Sequence, residues 1–124
     1  VSLDALRSTD PEAEAAGKEE MAAAQLFEAM HLVRSTVTGP DPRRMCFVSS
    51  QALFDELRAR KFSGQTYSVI QGHMRNNEED SWPRHCWLRL GDGSIADVTA
   101  DQFDPRLPRL WWPADVGRYR ATFD

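Results

Sequence analysis

Residues 84–103, RHCWLRLGDGSIADVTADQF, constrain this chain most: two short apolar runs on either side of Gly-Asp-Gly read as a β-hairpin. The residues around it are also strand-like. TYSVIQGHM is rich in β-formers, and NNEEDSWP separates it from the hairpin as a polar loop. DPRLPRLWWP carries three prolines and is expected to be irregular, laying Leu110, Trp111 and Trp112 over an apolar surface. At the end of the chain, Tyr119, Ala121 and Phe123 alternate with Arg118, Arg120 and Thr122, the pattern of a half-buried strand.

Upstream the periodicity is helical. Asp10-Pro11 suits an N-cap followed by proline in the first turn, and the next residues are rich in Ala, Glu, Leu and Met. Gly17 is a place for this run to break into two helices. Met21, Ala24, Leu26, Phe27, Met30 and Val33 form a core-facing stripe, with His31 at the surface. TGPDPRR, residues 38–44, interrupts the helix. A second helix, MCFVSSQALFDELRARKF, then aligns Cys46, Ser50, Leu53 and Leu57 on one stripe. Arg58, Arg60 and Lys61 suit its last turn and Gly64 its C-cap. The expected class is α+β, with N-terminal helices packed on a C-terminal antiparallel sheet. One domain is expected over residues 1–124: a helical part to residue 37, a core at 44–103, and an irregular segment with a strand at 104–124.

Several functions are disfavoured. Net charge is −4 with no clustered basic face, so nucleic acid is not expected as a partner. No apolar run approaches the ~20 residues that span a bilayer, so no membrane partner is expected. VSLDALRSTD lacks the layout of a secretory signal, which makes a cytoplasmic location the expectation, and a first residue of Val leaves room for residues upstream. Two cysteines, Cys46 and Cys86, are too few for a disulfide framework and are expected to be reduced. Nothing in the sequence fixes an oligomeric state.

Three residues stand out chemically. Cys46 follows the breaker, and a helix N-terminus favours the thiolate that acts as nucleophile. A start at Arg44 or Met45 puts Cys46 in the first turn; an N-cap at Asp41 puts it in the second. His85 titrates near neutrality and suits a general base, which in turn needs a group to orient it. Asp97 is the odd residue in an apolar strand. A two-residue turn sends it to the face away from His85. A three-residue loop, Gly91-Asp92-Gly93, pairs Trp87 with Asp97 and makes Asp97 the diagonal neighbour of His85. Asp101 is its rival, as a residue that caps the following turn. Cys86 alternates away from His85 toward the core, so a zinc site built from His73, Cys46, His85 and Cys86 is not expected. The acidic loop tip at residues 78–80 borders the His85 strand and is a candidate lid.

Cys46-Phe47 opening a helix, then His85-Cys86-Trp87 on a strand, then Asp97-Val98-Thr99 on the next, resembles the transglutaminase-like branch of the papain-like cysteine enzymes. The match spans residues 46–103. Met45 and Phe47 stand where that family often has Gly and Trp, and Val98 where it has Pro. The resemblance implies a papain-like core and a cofactor-free Cys-His-Asp triad acting on peptide or protein amides as a peptidase, deamidase or transglutaminase. Cys46 would be the nucleophile, His85 the general base and acid, and Asp97 the orienting carboxylate. Gln71, Trp87 and Trp82 would line the cleft, and the Cys46 N–H would serve an oxyanion, with Gln71 or Trp87 as helpers. The alternatives are an inactive module of that fold that binds a peptide or partner protein, and an assembly subunit docking through Trp111-Trp112 and the first helix.

Overall fold

The structure, a computed structural model, describes residues 11–76 and 80–122, with side chains from residue 17 onward. The Asp10 cap, the tip at residues 78 and 79 and the Phe123 position lie outside the described residues. Helix α1 (Pro11–Val33) runs into a π-helical turn at Arg34–Thr38, and α2 (Cys46–Ala59) follows the proline-containing breaker. Four antiparallel strands complete the fold: β1 (Tyr67–Met74), β2 (Arg84–Leu90), β3 (Ile95–Ala96) and β4 (Tyr119–Ala121). Their order is β3-β2-β1-β4. The α+β expectation is met.

The sheet is buried on both faces. Strand residues alternate in direction, so Tyr67, Val69, Leu88 and Leu90 pack under the helices with Leu26, Met30 and Leu57. Ile70, Met74, Trp87 and Tyr119 face the other way, against Phe103, Leu107 and Trp111 of the irregular segment. Three prolines keep that segment out of the sheet, yet its aromatic rings seal the second face. Trp112 turns back to the helical side and meets Phe27 edge-on at 5.6 Å.

Several local expectations are corrected. Gly17 does not break α1, because one glycine costs only ~1 kcal/mol and its neighbours are strong helix formers. The buried stripe is Leu26, Ala29, Met30 and Val33, an i, i+3, i+4, i+7 set; Met21 is 66% exposed and falls off it. Helix α2 closes earlier than Gly64. Lys61 takes the left-handed conformation at φ 54°, and the Phe62 N–H donates to the Leu57 carbonyl at 2.9 Å. Strand β3 is two residues long, and the next residue, Asp97, turns its N–H and carbonyl to the outer side, where both pair with Trp111.

Gly72 is required where β1 lies against Trp87. A Cβ there would sit 2.6 Å from the Trp87 ring and 2.9 Å from the Ala121 Cα, with the Arg120 carbonyl closer still. Gly72→Ala is expected to destabilise the fold by about 1–3 kcal/mol through overpacking, read as a lower urea midpoint.

Candidate active site

The breaker fixes where α2 begins. Asp41 accepts the Arg43 backbone N–H at 3.0 Å, Arg44 turns left-handed at φ 62°, and the Met45 N–H reaches the Pro42 carbonyl at 3.2 Å. Asp41 therefore closes the breaker on itself, and α2 starts at Cys46 with Met45 before it. Met45 has no side-chain acceptor to offer, and the first N–H to find a helical carbonyl is that of Ser49, bonded to Met45 at 2.8 Å. The uncapped helix start thus places positive dipole charge and free N–H groups around the half-buried Cys46.

The hairpin takes the odd-length loop. The Leu90 N–H donates to the Ser94 carbonyl at 2.9 Å, Gly93 sits at φ 86°, and Leu88 pairs with Ala96. That register sets Asp97 opposite Trp87, diagonal to His85. Asp97 Oδ2 accepts His85 Nε2–H at 2.6 Å and the Tyr119 hydroxyl at 2.9 Å. Asp97 Oδ1 accepts the Thr99 N–H at 2.8 Å and the Thr99 hydroxyl at 3.2 Å. Two backbone bonds to Trp111, 3.0 and 2.9 Å, hold the Asp97 main chain. The carboxylate is buried and fully satisfied.

With Nε2 committed to Asp97, Nδ1 of His85 is the nitrogen left for Cys46 and for Gln102, whose amide lies 3.1 Å away. Cys46 lies beside His85, close enough for the imidazole to act on its thiol. Burial raises the Cys46 thiol, but the hydrogen bond and charge of His85, with the Cys86 N–H and thiol, outweigh it and hold the thiol below its ordinary range. Burial likewise opposes charge on His85, yet the Asp97 carboxylate and the Cys46 thiol bring it up to about 9. Burial pushes Asp97 up too, and the His85 charge together with bonds from His85, Thr99 and Tyr119 keeps it below its usual value. All three shifts favour one charge pattern: thiolate, imidazolium, carboxylate.

Register explains the Cys86 contact. The Thr122 N–H donates to the Gln71 carbonyl at 3.0 Å, so Gln71 turns its backbone groups toward β4. Cys86, its partner on β2, correspondingly turns its N–H away from β1. It points to the edge that β3 leaves open, and Cys46 accepts it there. Cys86 does alternate away from His85, but it is not a core residue: it is half-buried, with a free thiol, and lines the same pocket as Cys46.

A pocket of about 360 Å³ opens on this group, lined by Cys46, Gln71, His73, Arg84, His85 and Cys86 among others. Gln71 is part of this lining. Trp87 and Trp82 are not in the lining. Trp87 is buried beneath His85 at 6.0 Å between rings, and Trp82 lies under the Arg120 guanidinium at 4.0 Å. A larger cavity, about 790 Å³ between α1 and residues 62–65, holds neither cysteine nor histidine. Both cysteines and His85 therefore line the smaller one. Among the described residues no group of three His, Cys, Asp or Glu side chains is arranged to hold a metal ion, and no helix is long and apolar enough to cross a membrane.

Three contributors escape a reading of the sequence: Gln102, Tyr119 and Arg34. Asp101 proves not to rival Asp97. It accepts both terminal nitrogens of Arg34, at 2.6 and 2.8 Å, and Arg34 also donates to the Val98 carbonyl at 2.8 Å. A buried cation at the end of α1 thereby anchors the turn that carries Thr99 and Gln102. Arg34→Met is expected to cost about 3 kcal/mol, by leaving Asp101 without its cation, with a matching loss in urea unfolding. No family of known proteins, no curated protein and no solved structure matches this chain.

Proposed function

We propose that the chain is a cysteine-nucleophile amide hydrolase or acyltransferase of papain-like, transglutaminase-like type, acting on peptide or protein amides. One observation carries the reading: a thiol at an uncapped helix start shares a pocket with a buried histidine whose Nε2 is held 2.6 Å from a fully satisfied carboxylate. The Cys46 thiolate attacks the amide carbonyl carbon, forming a C–S bond. The free Cys46 N–H is the donor nearest the oxyanion that develops. The C–N bond then breaks as His85 gives its Nδ1 proton to the departing amine. Neutral His85 next removes a proton from water or an acceptor amine, which attacks the thioester and frees Cys46. Asp97 keeps the ring oriented and supports its charge throughout. Phe47 and Val48, 52% and 51% exposed beside the nucleophile, offer an apolar rim to a peptide.

The test is incubation with a mixed peptide pool read by mass spectrometry. Hydrolysis, deamidation or amine transfer is expected, and is expected to vanish in Cys46→Ala. An unchanged pool, together with Cys46 alkylated no faster than Cys86, would overturn the reading.

A further inference from the structure

We propose that Cys46 is a peroxide-sensitive thiol with Cys86 as its resolving partner, so that oxidation closes the pocket with an intramolecular disulfide. The chain has two cysteines, and β2 register with the α2 start places both in the lining of one pocket. Neither amide chemistry nor a particular substrate is needed for this.

The chemistry runs in two balanced steps. The Cys46 thiolate attacks a hydroperoxide; an S–O bond forms, the O–O bond breaks, and the departing oxygen takes the His85 proton. Sulfur is oxidised by two electrons and the peroxide reduced by two, leaving a sulfenic acid on Cys46. The Cys86 sulfur then attacks that sulfenic sulfur. An S–S bond of ~2.05 Å forms, the S–O bond breaks, and hydroxide leaves as water with the Cys86 proton.

The pocket's electrostatics order these steps. Burial raises the Cys86 thiol, and the Cys46 charge, the bond to Cys46 and the Asp97 charge raise it further, to about 11. While Cys46 is a thiolate, Cys86 therefore keeps its proton and does not compete for the oxidant. Conversion of Cys46 to a neutral sulfenic acid removes one of the two negative charges that hold that proton. The resolving thiol is released by the event it resolves. Reduction by an external dithiol restores both thiols and the open pocket.

Hydrogen peroxide titrated onto the intact chain, followed by mass spectrometry and peptide mapping, tests the proposal. The wild type is expected to lose the mass of two hydrogen atoms, to yield a single peptide pair linking Cys46 to Cys86, and to recover fully with dithiothreitol. Cys86→Ser should instead gain oxygen on Cys46, trapped as a dimedone adduct. Cys46→Ser should leave Cys86 unmodified over the same period. Oxygen accumulating on wild-type Cys46 without the internal link, a disulfide between two chains, or equal oxidation of both thiols would each overturn the proposal. The wild-type mapping decides this even where a variant folds poorly, and it is independent of amide turnover.

Discussion

Asp97→Ala is expected to cost the fold about 3–5 kcal/mol, the range for removing one member of a buried ion pair. Three side chains lose their acceptor at once: His85, Thr99 and Tyr119. Tyr119 also belongs to the second core, so the damage spreads from the site to β4. Urea unfolding of the wild type and variant measures this. Asp97→Asn should cost less, because the amide keeps the shape and one acceptor oxygen.

The same substitutions should change how stability depends on pH. His85 is raised to about 9 from an unfolded value near ~6.5, so its contribution is complete below ~6.5 and is lost as pH rises through about 9. Asp97 is lowered, so its contribution is present above ~3.9 and is lost as pH falls through its folded value. The pair thus gives a plateau in mildly acidic solution with a loss on either side. In Asp97→Asn the acid-side loss should vanish and the alkaline loss should flatten. Equal slopes in wild type and Asp97→Asn would show that the pair is not ionised in the folded chain.

The second large effect is expected in His85→Ala. Amide turnover should fall by ~10²–10⁴, the usual contribution of a positioned acid-base group. Alkylation of Cys46 by iodoacetamide at neutral pH should fall as well, by about tenfold for each pH unit that the thiol rises once its imidazolium is gone. Cys86 serves as the internal reference. Its rate should rise or hold, since it then borders a Cys46 with less thiolate character. A Cys46 rate unchanged by His85→Ala would separate the two residues functionally.

Much of this arrangement was legible in local sequence. Gly91-Asp92-Gly93 with the parity of the flanking residues set His85 and Asp97 on one face, and the structure keeps that register. The late start of α2 was one of two readings, and Asp41 settled it by bonding to Arg43 instead of capping the helix. What stayed hidden depends on long-range contacts. Arg34 is an inconspicuous residue near the end of the first helical run, and only folding brings it to Asp101, 67 positions away. Gln102 and Tyr119 look like ordinary turn and strand residues until the irregular segment wraps the second face. Cys86 departs from the core position expected of it for a different reason: alternation sets its direction, but the sheet edge left open by a two-residue β3 makes that direction a pocket and not a core.

Nuclear magnetic resonance titration of the His85 ring tests the central claim most directly. Both ring nitrogens should remain protonated at neutral pH, with loss of the proton near about 9 in the wild type and at lower pH in Cys46→Ala. A His85 that titrates near ~6.5, indifferent to the Cys46 substitution, would contradict the claim that thiol, imidazole and carboxylate act as one group.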